Sequence, residues 1–133
     1  MYASSVWTYM EFIEAPAFTR HLPGYLSEEG YQELQARLAA NPEMGDLMPG
    51  TGGFRKLRWA DVRRGKGRRG GLRIVYYHFA SDHQIWLMTL YDKGEAVDLT
   101  GREKKALKAA IESELQARAA RRATGPRKSR RIQ

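Results

Sequence analysis

Hydrophobic and polar residues alternate along two stretches in the middle of the chain, residues 55–60 and 72–80, and a third predicted strand follows at 84–91. A period of two predicts strands with one buried face and one solvated face. Ser81-Asp82 is a turn signal, so the second and third stretches are predicted to form an antiparallel hairpin. The third stretch, QIWLMTLY, is apolar almost throughout, as expected of a strand that is covered on both faces.

Two helices are predicted upstream of these strands, after a weaker alternation at residues 9–14 that indicates a first strand. A short helix is expected over residues 17–21, because Pro23-Gly24 is a breaker. Ser27 is a favoured N-cap for the next helix, which Asn41-Pro42 ends. Its apolar stripe has helical spacing and consists of Tyr31, Leu34 and Leu38.

A final helix is predicted to begin at Thr100 and Glu103, which match a capping box, and to fray after about Ala120. The order of elements predicts an α+β domain. It has a small, mostly antiparallel four-stranded sheet, two N-terminal helices and one C-terminal helix. The domain is expected over residues 10–120, with a flexible leader at 1–9. A basic, disordered tail is expected at 121–133, which holds six cations and no acid.

Charge is distributed unevenly along the 133 residues, whose formal net charge is +8. Residues 1–50 hold seven acids against Arg20 and Arg37. By contrast, the stretch from Arg55 through Arg73 holds nine Lys or Arg and one acid, Asp61. A basic solvated strand face beside a basic, glycine-rich loop predicts a surface for nucleic-acid phosphate. The alternative is a solvated surface that charge keeps soluble.

Several classes of function are excluded or disfavoured by composition and spacing. The chain has no cysteine, which excludes disulfides and thiol chemistry. No apolar run approaches the roughly 18 residues that span a bilayer, and no signal peptide is present, so a cytoplasmic location without a membrane partner is expected. The PGTGG stretch lacks the Gly-Lys-Ser/Thr ending of a nucleotide-binding loop. The three His lack ligand spacing with an acid, so neither a metal site nor a cofactor is predicted.

RNA cleavage is the chemistry that this distribution of cations favours. The phosphorane that forms during cleavage carries charge, which cations stabilise directly. A Lys crowded by Arg can serve as acid or base. The predicted catalytic residues, on adjacent strand segments, are Lys56, Arg58, Arg73, Tyr91 and Lys93. The predicted RNA-binding residues are Arg55, Arg63, Arg64, Lys66, Arg68, Arg69 and Tyr77, the last as a base-stacking ring. In the alternative, these are ordinary exposed strand and loop residues.

The runs NPEMGDLMPGTGGFRKLRWA, GKGRRGGLRIVYYHF and LYDKGEAVDLT, with the amphipathic helix after them, resemble the RelE/HigB superfamily of toxins. Within it, the chain is most similar to the HigB-2-like branch of type II toxin–antitoxin modules, over about residues 10–118. The resemblance implies a RelE-like fold and a ribosome-dependent mRNA interferase. Such an enzyme cleaves A-site mRNA without metal, leaving 2′,3′-cyclic phosphate and 5′-hydroxyl ends.

The same resemblance implies the partners. They are the 70S ribosome with its mRNA, and a cognate helix-turn-helix antitoxin through which the toxin–antitoxin complex binds operator DNA. Two other functions stay open at this point. One is a non-enzymatic, ParE-like gyrase-inhibiting toxin, and the other is a basic nucleic-acid-binding module.

Residue by residue, the family's basic pair after PGTGG corresponds to Lys56 and Arg58, and the arginine that opens the next strand to Arg73. The family's Tyr-x-Lys pattern corresponds to Tyr91 and Lys93. Some relatives have a lysine in place of Arg58 or an arginine in place of Lys93. Lysine and arginine differ in their capacity for proton transfer, so the resemblance does not assign the general base.

Overall fold

The computed structural model describes residues 10–60, 71–94 and 99–132, with side chains through Thr124. The chain divides into two compact units. The described part of the first unit comprises residues 10–48, 54–60 and 71–94, and that of the second comprises 49–53 and 99–132. The predicted domain limits at residues 10 and 120 stay predictions.

The first unit contains a five-stranded mixed sheet with the strand order β1-β5-β4-β3-β2. The strands are β1 (Glu11–Glu14), β2 (Asp46–Leu47), β3 (Arg55–Trp59), β4 (Leu72–Phe79) and β5 (Gln84–Asp92). β1 is parallel to β5, and the other three pairings are antiparallel. The predicted count of four strands is therefore wrong, because β2 has two residues and is too short to show an alternation.

Two helices precede the central strands, as predicted: α1 (Pro16–Tyr25) and α2 (Glu28–Ala40). α1 is longer than the predicted helix and contains Pro23. It continues past this proline because Leu22 packs against the core and accepts a hydrogen bond from the Leu26 N–H at 3.0 Å. The predicted N-cap of α2 is confirmed, since the Ser27 hydroxyl accepts a hydrogen bond from the Gly30 N–H at 3.0 Å.

The hydrophobic core lies between these two helices and one face of the sheet. β5 is buried along most of its length, as its sequence predicts. The solvated face predicted for β4 is wrong, because Arg73 and Val75 on that parity are buried as well. Burying one large apolar side chain stabilises a fold by about 1.5–3 kcal/mol, so this cluster is the main source of stability in the unit. Its fully buried members include Phe18, Leu34, Leu38, Leu72, Ile74, Tyr76, Ile85 and Leu87.

A β-bulge interrupts the pairing of β4 with β5. Val75 pairs with Thr89 and Tyr76 pairs with Leu87, so Met88 is an extra residue in β5. A bulge shifts which side chains face the core without breaking the strand. Leu87 and Leu90, three positions apart, therefore both reach the core cluster.

The second unit consists of the loop at residues 49–53 and the helix α3 (Gly101–Ile132). The predicted capping box is confirmed: the Thr100 N–H donates to Glu103 Oε1 at 2.8 Å, and the Glu103 N–H donates to Thr100 Oγ1 at 3.1 Å. The helix does not fray near Ala120 as predicted but continues to Ile132. Alanine and arginine at 117–123 favour helix over the first part of this extension. No helix in the described ranges has an apolar stretch suited to spanning a membrane.

Gly52, in the second unit, occupies a position that requires glycine. Its φ is +79°, and a Cβ built there would lie 2.9 Å from Ile111 Cγ2. Ile111 is fully buried, so it has little room to move. Both the backbone conformation and the contact with α3 therefore require glycine.

We expect Gly52→Ala to lower the free energy of unfolding by about 2–4 kcal/mol, from a left-handed φ and from overpacking against Ile111. Two matched variants separate these causes in urea unfolding. Gly50→Ala has φ +82° and open space around the added Cβ, so it loses only about 1–2 kcal/mol. Gly24→Ala lies in α1 with open space and gains about 0.5–1 kcal/mol. Equal losses at Gly52 and Gly50 would contradict the contact with Ile111.

Candidate functional site

Four basic side chains line one cleft of about 250 Å³ in the first unit. Lys56 and Arg58 come from β3, Arg73 from β4, and Lys93 from the turn after β5. The remaining lining residues are Met44, Asp46 and Leu57. Cations that are separated by up to 37 positions in sequence are thus brought together at one cleft. Their catalytic role stays a prediction.

The strand register places two of these cations face to face. Arg58 is directly opposite Arg73 across β3 and β4, and Arg73 is directly opposite Tyr91 across β4 and β5. Residues opposed in this way have Cβ atoms about 4.5–5.5 Å apart, and like charges at that separation repel. The pair therefore lowers stability in the free protein and attracts an anion that can lie between the two guanidinium groups.

Arg73 is the most buried cation of the cleft, with 3% of its surface exposed. Its Nη1 donates to the carbonyl oxygens of Gly71 at 3.3 Å and Leu72 at 3.2 Å. Within the described ranges, neither Arg73 nor Arg58 forms a salt bridge with a carboxylate. A guanidinium has five N–H donors, and a buried charge without a counterion is costly. Arg73 is thus held in place by the backbone while its charge stays available to a ligand.

Asp46 is the single carboxylate among the described residues that line the cleft, against four cations. It lies directly opposite Lys56 in the pairing of β2 with β3. The excess of positive charge makes the cleft a site for an anion. Among the described residues, no group of three or more His, Asp or Glu side chains is arranged to hold a metal ion. The sequence interpretation missed Asp46, because a two-residue strand gives no periodic signal.

One wall of the cleft is the loop at residues 42–46, and Tyr76 holds this loop in place. The buried Tyr76 hydroxyl donates to the Pro42 carbonyl at 2.7 Å and accepts from the Gly45 N–H at 3.0 Å. Burial raises the pKa of Tyr76, so its hydroxyl keeps the proton that it donates. This side chain therefore fixes the backbone on either side of Met44 and next to Asp46.

Arg55 holds the same loop from β3. Its Nη1 donates to the carbonyl oxygens of Gly45 at 2.8 Å and Glu43 at 3.2 Å, and its Nη2 lies 3.8 Å from Glu43 Oε1. His78 Nδ1 is 4.0 Å from the other Glu43 oxygen, but burial lowers the pKa of His78, which favours the neutral ring. Arg55 is therefore the charged partner of Glu43. The structure does not bring Arg55, a predicted RNA-binding residue, into the cleft.

The turn that carries Lys93 is closed by its neighbour. Asp92 is fully buried, and its Oδ1 accepts a hydrogen bond from the Gly94 N–H at 2.6 Å. An aspartate that bonds the amide two residues later fixes a tight turn. This turn therefore fixes the backbone position of Lys93 at the end of β5.

Two other predicted site residues within the described ranges, Tyr77 and Tyr91, are not part of the cleft lining. Tyr77 packs in an aromatic cluster, with ring centroids 5.4 Å from Phe54 and 4.7 Å from Phe79. Tyr91 is buried beside Arg73 in the strand register but does not line the cleft. The remaining predicted RNA-binding residues fall outside the described ranges and stay predictions: Arg63, Arg64, Lys66, Arg68 and Arg69.

Comparison with known proteins leaves the family open. No family model matches this chain. Among solved structures, the chain is similar to a chain in the crystal structure of the archaeal RelE–RelB complex from Pyrococcus horikoshii OT3. The identity is 20%, the match covers 66% of this chain and 99% of that chain, and the TM-score is 0.44. A likeness this distant establishes neither a shared fold nor a family, so the RelE/HigB resemblance of the motifs stays a prediction, as does its HigB-2-like branch.

We expect Tyr76→Phe to lower the free energy of unfolding by about 1–3 kcal/mol, because the Pro42 carbonyl and the Gly45 N–H lose their buried partner. Tyr77→Phe is the matched control, since the described contacts of Tyr77 are made by its ring. Chemical denaturation of both variants measures the difference. The same loss in both would show that the hydroxyl of Tyr76 does not hold the loop.

Proposed function

We propose that this protein is an endoribonuclease toxin of the RelE/HigB type. In this proposal it cleaves mRNA in the ribosomal A site by attack of a ribose 2′-hydroxyl on the adjacent phosphodiester. The observation that carries the proposal is the cleft lined by Lys56, Arg58, Arg73 and Lys93. The proposed family and the proposed role of the ribosome come from the resemblance of the sequence motifs. Neither a cofactor nor a membrane is part of the proposal.

The cleft offers charge where the reaction needs it. Attack by the 2′-oxygen on phosphorus gives a pentacoordinate phosphorane with more negative charge than the ground state. In the proposed reaction, Arg73 and Arg58, which are directly opposed across two strands, donate hydrogen bonds to its equatorial oxygens. A preorganised donor of this kind is worth about 10²–10³ in rate. The backbone contacts of Arg73 provide that preorganisation.

The proton transfers fall to groups that can exchange a proton. The guanidinium groups of Arg58 and Arg73 stay charged, whereas lysine amines and carboxylates can act as acid or base. The cleft contains three such groups, Lys56, Lys93 and Asp46. In the proposed reaction, the 2′-hydroxyl proton goes to one of them as the new O–P bond forms. Another protonates the departing 5′-oxygen, which gives a 2′,3′-cyclic phosphate and a 5′-hydroxyl.

The partners belong to the same proposal. The ribosome presents the mRNA and supplies the alignment of the 2′-oxygen with the scissile bond. A cognate antitoxin with a helix-turn-helix domain inhibits the toxin, and the toxin–antitoxin complex binds operator DNA through the antitoxin. Inhibition follows if the antitoxin covers the cleft or blocks entry to the ribosome.

The test is mapping of mRNA 5′ ends after brief induction in a bacterial host, with Arg73→Ala and Arg58→Ala beside the parent chain. We expect each variant to lower the rate at which new 5′ ends appear by about 10²–10³-fold and to relieve growth arrest. Arg58 is exposed, so its variant should retain the fold even if Arg73→Ala does not. Arg20→Ala, an exposed cation of α1, is the matched control and should keep full cleavage.

Each outcome assigns the function differently. Full cleavage by both cleft variants would overturn the assigned roles of Arg58 and Arg73. DNA damage without new RNA ends would replace the proposal with the ParE-like, gyrase-inhibiting toxin. Absence of toxicity and of new ends in the parent chain would leave a basic nucleic-acid-binding module.

A further inference from the structure

The net charge of the chain resides in one helix. Residues 101–132, which form α3, contain eleven Lys or Arg and three acids, and this difference equals the net charge of +8. The first hundred residues hold twelve cations and twelve acids. The cationic cleft is thus a local excess within an electroneutral segment, whereas α3 is a separate and larger concentration of positive charge.

Within α3, the positive charge is concentrated in the part of the helix after Glu114. This acid pairs with two arginines, at 2.9 Å from Arg118 Nε and 3.6 Å from Arg121 Nη2. From residue 115 to residue 133 the sequence has seven cations and no acid. Arg118, Arg121 and Arg122 have the spacing of one helix face, on which like charges destabilise a helix. A helix that only needs solubility carries both signs interspersed, as the earlier turns of α3 do.

Among its described side chains, this segment has one exposed large apolar residue, Leu115, at its start. Side chains from Leu115 to Thr124 are exposed, except for that of Arg118, of which 12% is exposed. Between Leu115 and Ile132 the only residues with apolar side chains are alanines and Pro126. An interfacial membrane helix needs large residues such as Trp, Phe or Leu, and a helix that docks in a protein groove needs apolar anchors. Charge is therefore the recognition element.

We propose that residues 115–132, the C-terminal arm, bind the phosphate backbone of double-stranded RNA. Arg131 lies thirteen positions after Arg118, which corresponds to about 20 Å along a helix. A duplex presents one phosphate charge about every 1.7 Å of its axis, so the arm meets more phosphates than it has cations. The choice of RNA rather than DNA rests on the proposed function of the cleft. The phosphate recognition itself does not.

The test neutralises the arm and leaves its helix intact. In the full chain, the six cations Arg121, Arg122, Arg127, Lys128, Arg130 and Arg131 are replaced by Gln, whose helix propensity is close to that of Arg. The matched control exchanges Arg for Lys and Lys for Arg at the same six positions, which keeps the charge. Both sets are made in an Arg58→Ala background, which retains the fold because Arg58 is exposed, so that cleavage does not consume the probe. Circular dichroism checks that the helix content is equal.

The probe is a fluorescein-labelled RNA hairpin with a stem of about 16 base pairs, the span that double-stranded RNA-binding domains cover. Its binding is followed by anisotropy from 50 to 300 mM KCl. Because the neutralised arm no longer offers these six cations to phosphate, we expect the slope of log K against log salt to become shallower by about 5. Affinity at 100 mM KCl should fall at least about 100-fold for the same reason. The charge-retaining control should keep the parent slope.

Unchanged slope and affinity in the neutralised variant would overturn the proposal. Tighter binding to a DNA hairpin of the same sequence would overturn the choice of RNA. Charge-dependent binding to phosphatidylserine vesicles or to polyglutamate, but not to the RNA hairpin, would overturn it in favour of a membrane or an acidic protein. Because the background does not cleave, the outcome of this binding experiment is independent of the outcome of the mRNA 5′-end experiment.

Discussion

The antiparallel register of β3, β4 and β5 is the constraint on which the cleft depends. Apolar side chains on one parity, among them Leu57, Ile74 and Leu90, lie in the core, and this determines that Arg58 and Arg73 project from the other face. A slip of one residue would move every side chain of a strand to the opposite face and would place the arginines in the hydrophobic core. The free energy of core packing therefore holds two like charges opposite each other, a contact that the charges alone would not form.

The five residues of β3 make different contacts on the two faces of the sheet. Arg55 binds the loop at residues 42–46, while Leu57 and Trp59 pack in the core. Lys56 and Arg58, on the alternate parity, line the cleft. Trp59 also lies under the guanidinium of Arg37, at 5.4 Å from Cζ to the ring centroid. β3 contacts the helices, the loop at residues 42–46 and the cleft. The pairing of β3 with its neighbouring strands therefore sets where the two walls of the cleft lie relative to each other.

Local signals predict local structure here, and long-range contacts explain the rest. The alternation of β3 to β5, the N-cap at Ser27 and the capping box at Thr100 are all fixed by neighbours within a few positions, and all were predictable. β2 exists because β3 supplies its partner, and the bulge after Val75 depends on how two strands pack. The alternation along β3 already separates Arg55, on the parity of Leu57 and Trp59, from Arg58 on the other face. What the sequence does not reveal is the loop that Arg55 binds, because Glu43 and Gly45 reach it through a long-range contact.

The opposition of Arg58 and Arg73 has an evolutionary consequence. Replacing the exposed Arg58 by a neutral residue of similar size relieves repulsion in the free protein, and most proteins lie only slightly above the stability that they need. Mutational drift that silences this cleft through Arg58 therefore meets no penalty from folding and can even gain stability. Inactive descendants would persist as well-folded proteins that still engage every partner recognised through the rest of their surface.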